Sequence, residues 1–194
     1  MFENIHIVGI SGSLRKGSFN TALLTAAQLL LPEHTTLEIA EIGHLPFYNA
    51  DHDGENRPES VKKFREILSH ADALLFAVPE YNYSFPGVFK NAIDWASRGI
   101  DSPLLNKPVG LMGATNGMWG TTRMQQSIRP IFQALNMFPV NKPEVYISQV
   151  NSKFNASGTL IDEKTKDVIQ QHLHALRSLT LRLQPTGMMK GNVQ

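Results

Sequence analysis

The sequence predicts an α/β fold, a three-layer sandwich in which a parallel sheet carries helices on both faces. Short apolar segments rich in β-branched residues recur along the chain, and each is followed by a segment whose apolar residues have helical spacing. This pair of patterns occurs five times, which is typical of a doubly wound sheet. The 194 residues suffice for one domain with a sizeable core.

The first two strand–helix pairs are marked by changes in periodicity. Residues 5–10 form a short, largely apolar run rich in β-branched residues, as expected of a buried parallel strand. From residue 20 to residue 31 the apolar side chains recur at helical spacing instead, and Pro32 ends this run. Residues 37–42 alternate like a half-covered edge strand, and Pro58 opens the second helix.

The remaining three pairs follow from the same alternation, at 73–78 with 87–97, at 108–113 with 124–135, and at 145–147 with 168–183. Right-handed crossovers leave few topologies for five such pairs, and the flavodoxin-like strand order 2-1-3-4-5 is the simplest. In that order the winding direction reverses between strands 1 and 3. Ligands are therefore expected at the loops that follow strands 1 and 3, with the loop after strand 4 beside them.

Composition excludes several classes of function. There are 18 Lys and Arg residues against 17 Asp and Glu residues, a balance that argues against a nucleic-acid partner. Cysteine is absent, which removes disulfides, thiolate metal sites and cysteine nucleophiles, so any redox chemistry must belong to a bound group. No targeting or membrane segment is visible. We expect a cytoplasmic protein with no membrane partner, one domain over residues 1–186 and a loose tail over 187–194.

The loop after the first strand is rich in groups that bind phosphate. Between Ser11 and Asn20 it offers three serine hydroxyls, an amide, glycine-freed backbone N–H groups and the guanidinium of Arg15. These donors lie at a predicted helix N-terminus, whose dipole also favours an anion. The alternative is that Ser18 and Asn20 only cap the helix and that Arg15 is solvated. The density of donors at the switch point favours phosphate binding.

Other phosphate or nucleophile motifs do not fit this loop. The separation of Gly12 and Gly17 matches a Walker A motif, but Ser18 stands where that motif needs lysine. The glycine spacing of the dinucleotide fingerprint is absent, and a serine-hydrolase elbow would need glycine where Ser13 stands. A terminal monophosphate remains the best match.

The loop after the third strand, residues 79–87, is suited to a flat polar ring. Pro79 and Pro86 stiffen its backbone, and Tyr81, Tyr83 and Phe85 offer planar walls. The alternative is a surface turn whose aromatic side chains pack on a neighbouring subunit. Both interpretations hold together if a second subunit completes the cleft.

These two loops, with the run from Lys90 to Trp95, resemble the NADPH-dependent FMN reductase family, which includes quinone and chromate reductases and some azoreductases. The resemblance spans most of the chain. It implies a flavodoxin-like fold, non-covalently bound FMN, NADPH or NADH as electron donor, and a homodimer or homotetramer. It assigns to the FMN phosphate loop the residues Ser11, Ser13, Leu14, Arg15, Ser18, Phe19 and Asn20. It assigns to the flavin ring the residues Pro79, Glu80, Tyr81 and Asn82. From the loop after strand 4 it adds Thr115 and Gly117, although Met118 and Trp119 make that loop bulkier than usual in the family.

The resemblance also implies a ping-pong mechanism, in which NAD(P)H gives a hydride to the flavin and a quinone, flavin, chromate or azo acceptor then takes its place. Such a mechanism needs no catalytic side chain, and the sequence contains no convincing triad. A flavodoxin-like electron carrier without NAD(P)H activity is the main alternative, and a colourless phosphosugar-binding protein is another. A signalling receiver domain does not fit, because its acidic cluster after strand 1 is replaced by Ser11, Gly12 and Ser13.

Several other conspicuous residues are not assigned to the site. The run from Asp51 to Asp53 lies among turn residues and is interpreted as a solvated turn, so no metal site is expected. His172 and His174 are two apart on a helix and point in different directions. Trp95 is interpreted as packing or an interface. For Trp119, Arg123 and Arg129 the sequence leaves the role open, with a nicotinamide-nucleotide phosphate as one partner for the arginines.

Overall fold

A computed structural model describes residues 4–184, so the tail predicted over 187–194 lies outside the described residues. The strands are β1 (Ile5–Ser11), β2 (Thr35–Ala40), β3 (Ala73–Ala77), β4 (Pro108–Ala114), β5 (Phe138–Pro139) and β6 (Val145–Ile147). The helices are α1 (Phe19–Leu29), α2 (Glu59–Ser69), α3 (Gly87–Ala96), α4 (Thr122–Ala134) and α5 (Glu163–Leu183). Within this range, none of the helices combines the length and the apolar character needed to cross a bilayer.

The strand order confirms the predicted doubly wound topology. All pairs are parallel, the order is β2-β1-β3-β4-β5, and β6 also pairs with β4. In the pairing of β1 with β3, Ser11 lies opposite Ala77, so the two strands end side by side. The loops that follow them therefore start as neighbours at the switch point.

The fifth position of the sheet is shared by two short strands, where one strand was predicted. Phe138 and Pro139 of β5 lie opposite Pro108 and Val109, while β6 pairs with the other end of β4. Pro139 fits this edge because Phe138 and Val140 on either side donate the two N–H bonds, to Lys107 O at 3.0 Å and to Val109 O at 2.9 Å. A two-residue strand that contains proline gives almost no sequence signal.

Helices cover both faces of the sheet. On one face α1 and α5 pack over a core that includes Leu23, Leu24, Ile169, Leu173 and Leu176. On the other face α2, α3 and α4 pack over a second core, with Phe64, Phe89, Trp95, Ile128 and Phe132 among its members. The two cores share the sheet as their common layer, which is the predicted three-layer arrangement.

Two features of the helices were only partly predicted. Trp95 is fully buried and donates from Nε1 to Pro46 O at 2.8 Å, so packing is its role within the chain. Helix α5 starts at Glu163, five residues before its predicted start. Asp162 caps it by accepting from the Thr165 N–H at 2.9 Å, and this hydrogen bond and that of the Thr165 hydroxyl lower the pKa of Asp162.

Candidate functional site

A cleft of about 280 Å³ opens where the loops after β1, β3 and β4 meet. Most of the residues predicted to bind the cofactor line it, namely Ser13, Arg15, Ser18, Phe19, Asn20, Pro79, Glu80, Tyr81 and Thr115, together with Ala114 and Asn116. The carboxyl ends of the central parallel strands thus bring together three loops that are distant in the sequence, as the strand order requires.

Four predicted residues lie outside the lining of this cleft. Ser11 and Leu14 line an adjoining cavity of about 320 Å³, which shares Ser13 and Arg15 with the cleft. The Ser11 hydroxyl is paired with that of Thr21 at 2.8 Å. The other two are exposed: Asn82 lies in the turn after β3, and Gly117 donates its N–H to the Thr115 hydroxyl at 3.3 Å.

The loop after β1 leads directly into helix α1. Ser18 is the N-cap, and its hydroxyl oxygen accepts from the N–H groups of Asn20 at 3.2 Å and Thr21 at 3.5 Å. Its hydroxyl proton stays available to an acceptor in the cleft. Arg15 is exposed, with its guanidinium 5.9 Å from the centre of the Phe19 ring. Helix capping and anion binding are therefore compatible at this loop.

Gly12 allows the loops after β1 and β3 to pack in direct contact. A Cβ atom at this position would lie 2.9 Å from Val78 Cγ1 and 3.2 Å from Pro79 Cδ, closer than packed atoms tolerate. The Gly12 N–H also donates to Ala77 O at 2.9 Å. Glycine is thus required here by close approach, and the two halves of the cleft have a fixed separation.

Asn20 joins helix α1 to the end of β4. Its side-chain amide donates to Ala114 O at 3.1 Å, and its side-chain oxygen accepts from the Ala114 N–H at 2.9 Å. The residue is almost fully buried, with 3% of its surface exposed. Asn20 was predicted as a phosphate ligand from its position in the loop. The structure shows that its side chain anchors the third loop of the cleft.

The loop after β3 contains a two-residue hairpin turn between Tyr81 and Ser84, and its central residues are unusual for this type of turn. Tyr81 and Ser84 exchange backbone hydrogen bonds of 2.8 and 3.0 Å. The residues between them, Asn82 and Tyr83, have φ values of 50° and 65°. Left-handed backbone at both central residues is the type I′ pattern, which glycine and asparagine adopt readily and a bulky tyrosine does not.

The carboxylate of Glu80 caps a helix from another part of the chain. Its Oε2 atom accepts from the N–H groups of Arg123 at 3.0 Å and Met124 at 3.1 Å, in the first turn of α4. Its Oε1 atom lies 3.5 Å from the Arg123 guanidinium, and 12% of the Glu80 side chain is exposed. The loop after β3 is therefore tied to α4 by a charged side chain.

Asp53 and His172, which the sequence analysis did not assign to the site, stabilise other parts of the fold. Asp53 pairs with Arg57 at 2.6 Å and accepts from the Gly54 N–H at 2.7 Å, and these bonds lower its pKa despite opposing desolvation. His172 is buried between Pro143 O and the Leu111 N–H, and burial lowers its pKa. Among residues 4–184, no cluster of three potential metal-binding side chains occurs.

Comparisons with known proteins agree with this geometry. The sequence model of the NADPH-dependent FMN reductase family matches residues 5–152. The chain belongs to this family. It is 48% identical to the NAD(P)H-dependent FMN reductase of Pseudomonas aeruginosa, over 94% of this chain and 99% of that protein. It is 40% identical to the NAD(P)H:quinone oxidoreductase of Solanum tuberosum, over 92% and 94% of the two chains. Among solved structures it resembles FerB, a flavoenzyme NAD(P)H:(acceptor) oxidoreductase of Paracoccus denitrificans, with a TM-score of 0.84, 32% identity, and 92% and 98% coverage.

The donors of the cleft fit FMN, the cofactor of an FMN reductase. The loop after β1 presents hydroxyls, the N-terminus of α1 and the guanidinium of Arg15, a set suited to a phosphate dianion. The loop after β3 presents a rigid backbone and the aromatic ring of Tyr81, which suit a flat heterocycle with polar edges. The chemistry of the two loops therefore fits the two parts of FMN, its phosphate and its ring.

Three features of the site were missed from the sequence. Asn116 lines the cleft, and no pattern distinguished it from other loop residues. The capping function of Glu80 and its pairing with Arg123 join residues 43 positions apart, so only the fold reveals them. The anchoring function of Asn20 was hidden for the same reason, because its partner Ala114 is 94 positions away.

Proposed function

We propose that this protein is an FMN-dependent NAD(P)H oxidoreductase that reduces quinones. The observation that carries the proposal is the convergence of a monophosphate-type loop and an aromatic, proline-stiffened turn in one cleft at the switch point. Family membership supports it, as do relatives named as FMN and quinone reductases at 40–48% identity.

The thirteen residues assigned from the sequence have different roles in holding the cofactor. We propose that Arg15, Ser13, Ser18 and the amides at the start of α1 hold the phosphate, with Ser11, Leu14 and Phe19 shaping their loop. Pro79, Glu80, Tyr81 and Asn82 border the ring mainly through their backbone, and Thr115 and Gly117 close the third side. Asn20 contributes by fixing Ala114 rather than by touching phosphate.

Bound FMN supplies the redox chemistry, which is the acceptance of two electrons from NAD(P)H and their delivery to a quinone. The chain provides binding and orientation. Of the described residues that line the cleft, Glu80 alone carries a carboxyl group, and its oxygens already accept from two helix amides. No side chain of this lining is placed as a free general base, and hydride transfer to a flavin requires none. The proposed order of events is ping-pong, in which NAD(P)H leaves before the quinone binds.

The protein is also proposed to assemble with a second copy of itself, as a homodimer or homotetramer. Tyr81, Tyr83, Met118 and Trp119 are more than half exposed beside the cleft, an aromatic and apolar surface suited to burial. Light scattering of the purified protein tests this assembly. Cell fractionation tests the proposed cytoplasmic location.

The decisive experiment is steady-state oxidation of NADPH and NADH by the purified protein with a benzoquinone as acceptor. We expect a yellow protein or one that takes up added FMN, parallel lines in double-reciprocal plots, and weaker flavin binding in Arg15→Ala. A protein that binds FMN and yet does not oxidise either nucleotide would be an electron carrier. A protein that binds no FMN would refute the proposal entirely.

A further inference from the structure

We propose that Arg123 is a positioning residue that holds the ring-binding turn in its left-handed conformation. The inference rests on the proposed FMN site. Arg123 does not line the cleft. It contacts the turn from the outside, through Glu80 before the turn and Tyr83 within it.

Three contacts connect Arg123 to this turn. Its backbone N–H donates to Glu80 Oε2 at 3.0 Å. Its guanidinium lies 3.5 Å from Glu80 Oε1 and stacks 4.3 Å from the centre of the Tyr83 ring. The same guanidinium lies 5.9 Å from the ring of Trp119, in the loop after β4. One side chain therefore connects α4 with two of the three loops that form the cleft.

The turn needs such support because its conformation is unfavourable. Asn82 and Tyr83 both have positive φ. Asparagine tolerates this region, but a bulky residue such as Tyr83 stays there only where its surroundings enforce it. Stacking of Arg123 on Tyr83 fixes the residue with the greater steric cost. Tyr81, which the turn orients, lies in the lining of the cleft.

The ion pair differs from an ordinary surface pair. Only 12% of the Glu80 side chain is exposed, so this carboxylate depends on its partners inside the protein. Two partners are helix amides, which are retained whatever side chain residue 123 carries. The third is the Arg123 guanidinium, so a substitution there removes charge and stacking while the helix cap persists.

The test compares Arg123→Met with Arg129→Met, a matched control on the same helix. Arg129 bonds Asn141 and does not line the cleft. FMN is titrated into the flavin-free full-length proteins, and flavin fluorescence reports binding. We expect the dissociation constant to rise about three- to tenfold in Arg123→Met, as one cation–π contact and one ion pair are lost. We expect no rise in Arg129→Met.

Four further measurements separate positioning from a general loss of stability. Backbone amide exchange in the segment 80–85 should accelerate in Arg123→Met but not in the control, and the midpoint potential of the bound flavin should shift. Arg123→Lys keeps the charge without the planar stack, so it should recover part of the lost affinity. The Tm of the flavin-free protein should be lowered no more by Arg123→Met than by Arg129→Met.

Two results would overturn the inference. The first is a wild-type dissociation constant and potential in Arg123→Met, which would also leave the proposed function intact. The second is weaker FMN binding accompanied by a change of elution volume, which would assign the effect to subunit assembly. Failure of the proposed function itself looks different, because wild-type protein would then bind no FMN at all.

Discussion

Replacing Asn20 by alanine distinguishes two roles for this side chain, as an anchor of Ala114 or as a phosphate ligand. If Asn20 is the anchor seen in the structure, its loss leaves the N–H and C=O groups of Ala114 without their partner in a buried place. A buried polar group left unpaired costs about 1–3 kcal/mol. Two such groups are left here, and water that enters the space of the missing side chain can bond them in part. We therefore expect the free energy of unfolding of flavin-free Asn20→Ala to fall by about 3 kcal/mol. In a chain of this size that corresponds to a fall in Tm of about 6–12 °C.

Urea unfolding of the flavin-free protein measures this loss directly. The matched control is Asn116→Ala, an exposed asparagine of the same cleft whose oxygen accepts one bond, from the Asn151 N–H at 3.1 Å. We expect a change below about 1 kcal/mol for the control. If Asn20 were only a phosphate ligand, Asn20→Ala would unfold like the wild type without flavin and would bind FMN more weakly. That result would refute the anchoring role.

Three other substitutions test separate parts of the molecule. Arg15→Ala should raise the FMN dissociation constant about 10- to 100-fold in a fluorescence titration, because one charge-assisted hydrogen bond is lost. The stability of the flavin-free protein should not change, because Arg15 is exposed. Gly12→Ala should weaken FMN binding and lower Tm by calorimetry, since its Cβ would push against Val78 and Pro79; a wild-type Tm would contradict the close approach. His172→Gln tests how stability depends on pH. Burial lowers the pKa of His172 in the folded state, so folding favours its neutral form. This contribution to stability is complete above the ordinary pKa of about 6.5 and decreases at lower pH. Urea unfolding at several pH values should show a shallower acid slope in His172→Gln, by at most about 1.4 kcal/mol per pH unit.

The order of the strands was predictable because it follows from periodicity and from the handedness of crossovers. Buried strands such as β3 have an unbroken apolar run, and five strand–helix pairs admit few arrangements. The shared fifth position was not predictable, since β5 consists of Phe138 and Pro139 alone. Helix α4 was predicted through Pro130 and does continue through it, because its apolar face packs into the core on both sides of the proline.

The position of the cleft was predictable, and the contacts of its individual residues were less so. Residue types and the switch point identified the loops after β1 and β3, and the resemblance added the cofactor. Individual roles depend on partners that are remote in sequence, as with Asn20 and Ala114 or Glu80 and Arg123. Polar side chains near a ligand site signal either ligand binding or anchoring, and sequence alone does not distinguish these uses.

Much of the polar character of this cleft serves its architecture. Ser18 caps α1, Asn20 fixes the end of β4, and Glu80 caps α4, so each side-chain acceptor is already occupied by a backbone N–H group. Among the residues proposed to hold the cofactor, Arg15 has an exposed charged side chain that makes no such bond in the structure. Backbone groups held at fixed positions by these anchors are therefore expected to contribute to FMN affinity beside the Arg15 guanidinium and the Ser18 hydroxyl proton. It follows that substitutions which loosen an anchor should weaken flavin binding without touching the flavin, whereas Arg15→Ala should weaken it without loosening the protein.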